Sequence, residues 1–313
     1  MRLAPALVLT VAAGGLLSVQ GRINGDLSTH LAPHGAPVAA ATVSFAVGMF
    51  ALAGIVGLSG AGRPTLARIR VSRPPWWYAV GGVGGAVLVS VSAASVPAVG
   101  VALTSVFVVT GQAGGSLVVD EVGLSPGGRR PLTGYRLVGA LLAVGALAVG
   151  ALGRAESAIR PLLLLGTVLA GVLVAGQQAV NGRLQGATGS AAVTALVSFA
   201  VGTACLLAFL GVQDLSGRLP SLHAGGAWWL YVGGLGGATY IALSATCVQV
   251  LGVLRLSLAS VAGQLAGGVL LDLAAPSRGA HVTVATYLAV LLTFVALLVA
   301  GVHRPSPLRR EGH

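Results

Sequence analysis

The chain has 313 residues, of which 8% are charged and 55% hydrophobic, with 48 glycines and a formal net charge of +11. A soluble domain carries about 25% charged residues, so this composition excludes a soluble globule. Disorder is excluded too, because it requires low hydrophobicity and high charge. Since a spanning helix needs about 20 apolar residues, the length fits an all-α membrane protein with ten transmembrane helices.

The apolar segments between polar breaks predict these ten helices in chain order. The first half contains five, at about 4–27, 36–58, 76–95, 97–122 and 133–153, with an arginine-rich loop at 63–73. The second half contains five more, at about 161–184, 190–212, 227–248, 252–273 and 282–302. We therefore expect a first unit over 1–153, a second over 154–302 and a cytoplasmic tail over 303–313. The alternating pattern of a membrane β-barrel is not found in the sequence.

The basic residues predict the orientation of the chain. All 18 are arginines, and they lie mostly in the short gaps between apolar segments. If the N-terminus is cytoplasmic, thirteen arginines fall on the cytoplasmic side and five on the other. Because cytoplasmic loops are enriched in basic residues, we expect both termini in the cytoplasm and a multi-pass protein of the inner or plasma membrane. This distribution argues against nucleic-acid binding.

Four sequence blocks of the first half return in the same order in the second half. Residues 20–27 recur at 177–184, 44–48 at 198–202, 76–86 at 228–238, and Gly111-Gln112 with Asp120 at Gly263-Gln264 with Asp272. The offsets are 157, 154, 152 and 152. Because each copy has an odd number of helices, the second copy must enter the membrane from the opposite side. This predicts a five-plus-five inverted-topology repeat, an architecture found in many secondary transporters.

Glycines four residues apart recur in these blocks. Gly81 with Gly85, and Gly233 with Gly237, are examples. Small residues at this spacing let two helices approach closely. They predict tight helix packing, with a role in gating as the alternative.

Six amide side chains lie inside the predicted helices at repeated positions: Gln20, Asn24, Gln112, Gln177, Asn181 and Gln264. Gln20 and Asn24 share one helix face. Amides are costly in hydrocarbon, so all six are expected to face the protein interior or a cavity. Two interpretations stay open, namely binding of a polar substrate and hydrogen bonding between helices. Gln178 has no counterpart in the repeat and is a weaker candidate.

Four acidic residues lie near predicted helix ends: Asp26, Asp120, Glu121 and Asp272. Arg22 and Asp26 are four residues apart and can form a salt bridge near the outer end of the first helix. A proton-coupled carrier needs a titratable group, so these acids are candidates for coupling or gating. The alternative is that they are solvated carboxylates at the membrane boundary.

Catalytic and metal-binding residues are not evident in the sequence. The two cysteines, Cys205 and Cys247, lie inside apolar segments. They are too few for a zinc site or a disulfide framework. No nucleophile and base are brought together by their spacing, so we expect no enzyme, no metal and no cofactor.

The repeated blocks resemble the YdcZ-like, EamA-type branch of the drug/metabolite transporter superfamily. The residues that carry the resemblance include Gln20 and Asn24, their repeats, and the paired tryptophans at 76–77 and 228–229. The resemblance implies a ten-helix inner-membrane transporter, often an exporter, with a central cavity between its halves. Small relatives carry a membrane-embedded Glu in the first helix, which this chain lacks, so their proton exchange is not expected here.

Together these observations predict a secondary transporter that exports a small metabolite or drug-like molecule by alternating access. Its partners would be that substrate and the lipid bilayer, and assembly into a homo-oligomer stays open. The alternative from another class is a non-transporting membrane scaffold or accessory protein that kept the repeat for packing.

Overall fold

The computed structural model describes residues 3–126, 128–129, 132–152, 161–275 and 283–301, which form α-helices and short 3-10 turns with no strand among them. The α-helices are α1 (Leu3–Leu31), α2 (Pro37–Leu58), α3 (Gly62–Ser72), α4 (Gly81–Val99), α5 (Val101–Glu121), α6 (Gly134–Leu152), α7 (Pro161–Thr188), α8 (Ala191–Leu215), α9 (Gly233–Ala274) and α10 (Val284–Gly301). The predicted link at 154–160 and the tail at 303–313 lie outside these residues. An all-α membrane fold is confirmed.

Seven helical segments of the described chain are long and apolar enough to cross a membrane. They are Leu3–Leu31, Pro37–Leu58, Trp76–Val99, Val101–Glu121, Leu162–Thr188, Ala191–Leu215 and Trp228–Val248. Three shorter apolar segments, Leu137–Ala146, Ala259–Ala274 and Val284–Ala296, fall where the sequence predicts the fifth, ninth and tenth helices.

Three predicted boundaries are wrong. The arginine-rich loop is the helix α3, which ends at Arg73 in a left-handed conformation with φ of 41°. Trp76 begins a 3-10 turn, and α4 starts only at Gly81. Pro97 does not open a helix but lies in the last turn of α4. The break comes at Gly100, whose φ of 84° is favourable only for a residue without a Cβ atom.

α9 is a single 42-residue helix where the sequence predicts two. A straight helix of this length would extend about 63 Å. Both of its ends nevertheless contact the same part of α1, because Gly233 lies against Asn24 and the Ala275 carbonyl oxygen accepts a hydrogen bond from Arg22. α9 therefore reverses direction and forms two antiparallel arms, in the positions of the two predicted helices.

Each half packs its first helix against the other half. α1 lies along both arms of α9, and a Cβ atom added at Gly263 would lie 1.9 Å from the Val11 carbonyl oxygen. α7 lies along α4 and α5 in the equivalent way, and a Cβ atom added at Gly111 would lie 1.8 Å from the Val168 carbonyl oxygen. Such distances leave room only for glycine, so the predicted close packing at repeated glycines is confirmed.

α2 and α8 cross at the centre of the molecule. The rings of Phe45 and Phe199 stack with their centroids 4.7 Å apart. The Phe45 ring packs against Gly202 and the Phe199 ring against Gly48. These four residues come from the two copies of one repeated block. The contact of Phe45 with Gly202 is thus repeated by that of Phe199 with Gly48, as expected of a pseudo-two-fold axis.

The loops show that α2 and α8 run in opposite directions. The loop after α8 reaches the start of α2, where the His223 amide donates to the Leu31 carbonyl oxygen over 2.9 Å. We call this end of the molecule the α1–α2 face. The loop before α8 reaches α3, where Arg68 covers Gly189. We call this opposite end the α7–α8 face.

Candidate functional site

A pocket of about 40 Å³ lies between α1, α4, α5 and the second arm of α9. It is lined by Leu17, Ser18, Gln20, Gly21, Asn24, Leu88, Val89, Ser92, Val96, Val101, Thr104, Ser105, Val108 and Gln264. None of these side chains is charged. The volume accommodates a few water molecules, since one water needs about 10–15 Å³ measured in this way. The pocket can therefore bind a polar group but offers no counter-charge for an ion.

Two of the three amides in the pocket have unpaired polar atoms. Asn24 is 1% exposed, and neither its Nδ2 nor its Oδ1 atom has a hydrogen-bond partner in the described structure. The Oε1 atom of Gln264 is also without a partner there. Gln20 differs, because its Nε2 atom donates to Ser44 Oγ over 3.2 Å. Buried polar atoms without partners are rare and costly, so the Asn24 and Gln264 amides are suited to bind a polar ligand or water.

The other three predicted amides lie outside the pocket. Asn181 accepts a hydrogen bond from Ser198 Oγ over 2.7 Å, so it bonds two helices of the second half. Gln177 packs against Gly84 and Gly85 of α4. Gln112 is 2% exposed and its Oε1 atom has no partner among the described residues. The repeated amides thus divide into three that line the pocket and three that do not.

A second polar cluster surrounds Tyr240. Gln178 donates to the Tyr240 hydroxyl over 2.7 Å, and Gln112 and Ser260 lie beside the same hydroxyl. All four side chains are buried, with Ser260 only 1% exposed. This cluster joins α5, α7 and both arms of α9. We call it the Tyr240 cluster.

The four predicted acids lie at helix ends and not in the pocket. Asp272 is 4% exposed and accepts hydrogen bonds from the amides of Val101 and Ala102, over 3.1 and 2.8 Å. These amides belong to the first turn of α5, which has no partner for them within the helix. Asp272 therefore caps α5 from the end of α9. Asp120 is also buried and accepts a hydrogen bond from Ser125 Oγ.

The remaining two acids form salt bridges. Arg22 Nε lies 2.9 Å from Asp26 Oδ2, so the predicted pair is confirmed. Glu121 pairs with Arg129 and accepts the Leu132 amide over 3.1 Å. Both pairs are partly exposed, and surface pairs of this kind contribute about 0–1 kcal/mol.

Sequence reasoning missed Tyr240, because the residue at the equivalent position of the first half is Leu88 and so the repeat does not mark it. It also gave no role to Ser44 and Ser198, which bond Gln20 and Asn181. A signal for these two was present, since each serine begins a copy of the Ser-Phe-Ala-Val-Gly block.

These features describe a multi-pass helical membrane protein with two related halves and a polar pocket between them. The model of the family described as "Putative inner membrane exporter, YdcZ" matches residues 5–149 and 162–299, which are the two copies of the repeat. The chain belongs to this family of the drug/metabolite transporter superfamily. It is accordingly a multi-pass inner-membrane protein of an exporter family, and not a member of an enzyme family.

Ten chains among the solved structures match this chain. One of them, described only as a crystal structure of a protein, is 20% identical and superposes with a TM-score of 0.60. The match covers 96% of this chain and 97% of the other. At this identity the likeness shows the fold alone. No curated protein matches the chain.

Proposed function

We propose that the protein is a secondary transporter that exports a small, uncharged polar metabolite or drug-like molecule by alternating access. The observation that carries the proposal is the pair of buried amides, Asn24 and Gln264, whose unpaired atoms line a pocket between the two halves. They offer one donor group and two acceptors to a desolvated molecule. A neutral solute fits best, because a desolvated charge without a partner is far more costly.

The proposed topology has ten transmembrane helices in an inverted five-plus-five repeat, with units 1–153 and 154–302. Support comes from the opposite directions of α2 and α8, which are equivalent helices of the two halves. The seven long apolar segments support seven of the proposed spans, and the three shorter ones lie where the other three are proposed. The excess of arginine on one side supports cytoplasmic termini, including the tail at 303–313.

The pseudo-two-fold relation supplies a physical basis for alternating access. The close contacts at the repeated glycines of one half have equivalents in the other, as in the pairs Gly82 with Ser198 and Gly234 with Ser44. Two arrangements in which the halves exchange roles can then be close in free energy, so binding of a solute can shift their populations. In the arrangement described here the pocket amides would bind a polar group of the solute.

The coupling and gating roles of Asp26, Asp120, Glu121 and Asp272 remain proposals. Asp272 is the best placed, because it links the end of α9 to the first turn of α5, and α5 lines the pocket. A relative movement of these two helices would break the cap. Asp26 and Glu121 have arginine partners at the helix ends.

A specific observation favours the alternative, a non-transporting scaffold. Asn181, the repeat of Asn24, is hydrogen-bonded to Ser198 and acts as a helix-packing residue. If Asn24 and Gln264 were packing residues as well, the amides would hold the fold and move no solute. The stability of amide variants and their flux separate the two functions.

The test is solute flux into liposomes that contain the purified protein. A panel of radiolabelled uncharged solutes with hydroxyl and amide groups is compared with cationic and amino-acid-like solutes. We expect saturable flux of at least one uncharged solute and its loss in Gln264→Leu. Gln213→Leu is the matched control, since Gln213 lies in the last turn of α8 and does not line the pocket. No flux of any solute in the panel would favour the scaffold.

A further inference from the structure

The Tyr240 cluster occupies the position that corresponds, by the repeat, to the pocket. Four residues that line the pocket are Gly21, Leu88, Val108 and Gln264. At the repeat offsets of 157 for the first of them and 152 for the others, their counterparts are Gln178, Tyr240, Ser260 and Gln112. These are the four members of the Tyr240 cluster. The molecule therefore has two related sites, and each is lined by residues of both halves.

The backbone around the two sites is nearly the same. A Cβ atom added at Gly14 would lie 1.9 Å from the Ser260 carbonyl oxygen, and one added at Gly171 would lie 2.0 Å from the Val108 carbonyl oxygen. These are equivalent contacts in the two halves. The difference between the sites therefore lies in their side chains and not in the helix frame.

Side chains fill the second site. Gln178 stands where the pocket has a glycine, and Tyr240 stands where it has a leucine. Their hydrogen bond of 2.7 Å ties α7 to the first arm of α9, and both residues are about 5% exposed or less. The two side chains fill the space that corresponds, by the repeat, to the pocket.

The two sites lie toward opposite faces of the molecule. Next to the pocket, Gly25 contacts Val96 and Pro97, six residues from the end of α1 and close to the α1–α2 face. Next to the Tyr240 cluster, Asn181 contacts Gly81 at the start of α4, which follows α3 on the α7–α8 face. A solute that crosses the molecule from one face to the other would pass both.

We propose that Tyr240 and Gln178 form the gate of the translocation pathway toward the α7–α8 face, and that the Tyr240 cluster is a second site for the solute of the pocket. The proposal rests on the proposed function. Opening requires that the hydrogen bond between Tyr240 and Gln178 breaks. The buried Gln112 Oε1 atom, which has no partner among the described residues, then accepts a hydrogen bond from the passing solute. The gate accordingly favours solutes with hydroxyl or amide hydrogens.

The test measures access to the pocket and needs no knowledge of the substrate. The parent for the test carries Cys205→Ala and Cys247→Ser, which are the residues at the equivalent positions of the first half, together with Ser92→Cys as a reporter in the pocket. Labelling by a membrane-impermeant thiol reagent is followed in right-side-out and in inverted vesicles. Tyr240→Phe removes the hydroxyl, and Tyr240→Leu with Gln178→Gly copies the first half. Tyr287→Leu, at a half-exposed position of α10, is the matched control.

From the α7–α8 face we expect about fivefold faster labelling in Tyr240→Phe, the change in population that loss of one typical hydrogen bond produces. The Leu/Gly pair should label faster still, and Tyr287→Leu should match the parent. The reverse exchange, Gly21→Gln with Leu88→Tyr, should protect the reporter from the α1–α2 face. At Gly21 a Cβ atom meets no clash, because the nearest atom is 3.8 Å away.

Unchanged labelling from the α7–α8 face in Tyr240→Phe would overturn the gate, even if the double variant failed to fold. Faster labelling together with no flux of any solute would support the gate but overturn the proposed transport function. Flux that is lost in the pocket variants but unaffected by every Tyr240 and Gln178 variant would support the transport function and overturn the gate.

Discussion

Replacement of Asn24 by leucine is expected to abolish solute flux without lowering the stability of the protein. Leucine has the same number of side-chain heavy atoms as asparagine, with the branch at the same carbon, and it removes two buried polar atoms that have no partner in the described structure. An unsatisfied buried polar group costs about 1–3 kcal/mol. The free energy of unfolding should therefore stay within about 1 kcal/mol of the parent value or rise.

The equivalent replacement in the second half is the matched control. Asn181→Leu removes the 2.7 Å hydrogen bond from Ser198 and leaves that hydroxyl buried without its partner. Hydrogen bonds between membrane helices contribute about 0.6 kcal/mol on average, and an orphaned hydroxyl adds about 1 kcal/mol. We expect a loss of about 1–2 kcal/mol. The surroundings are comparable, since both asparagines face the glycine that begins a helix, Gly233 or Gly81.

The assay combines unfolding by dodecyl sulfate in mixed micelles, followed by circular dichroism, with flux in liposomes. A stability near or above the parent value together with lost flux is the signature of a substrate-binding amide. If Asn24→Leu lowers the free energy of unfolding as much as Asn181→Leu does, Asn24 is a packing residue. The substrate-pathway assignment would then be refuted.

Three further outcomes are expected. Gly82→Ala should lower the unfolding free energy by several kcal/mol in thermal melts, because its Cβ would lie 1.9 Å from the Ser198 carbonyl oxygen. Gly114→Ala is the control: no atom lies within 4 Å of its Cβ, so it should be neutral or stabilising by up to about 1 kcal/mol. Asp272→Ala should cost about 1 kcal/mol as a lost cap, whereas Asp272→Asn keeps one of the two accepting oxygens and should cost less. If Asp272→Asn keeps its stability but loses pH-driven flux, Asp272 couples protons; unchanged pH-driven flux leaves it as a cap. Arg183→Gln should expose the loop after α5 to limited proteolysis, because the variant loses the hydrogen bonds to the Gly123 and Leu124 carbonyl oxygens. An unchanged cleavage rate would contradict this anchoring role of Arg183.

The apolar segments and the repeat were predictable from the sequence, because both are properties of the chain read locally. The close glycine contacts followed for the same reason, since a glycine that recurs at four-residue spacing has few uses other than close packing. The arms of α9 were predicted as separate helices, and the structure joins them by continuing the helix through the reversal. The break at Gly100 was not predicted, because Pro97 three residues earlier is the stronger helix-breaking signal in sequence terms.

The amides of the site were predictable as residue types but not in their roles. Gln20 and Gln177 are equivalent in sequence, yet only Gln20 lines the pocket. Their roles depend on residues far away in the chain, such as Leu88 in one half and Tyr240 in the other. The acids show the same limit, because the cap that Asp272 makes on α5 joins residues about 170 positions apart, a relation that no local pattern contains.

The distribution of symmetry in the molecule bears on the choice between transporter and scaffold. The glycine contacts and the crossing of Phe45 with Phe199 are symmetric, and they pack the two halves closely against each other. A scaffold would require nothing more. The asymmetry is concentrated at two related sites: one is a pocket lined by the unpaired amides of Asn24 and Gln264, and the other is filled by Gln178 and the hydrogen-bonded Tyr240. Unpaired buried atoms lower stability, so packing does not account for them. A solute that binds at one site while the other is closed accounts for both.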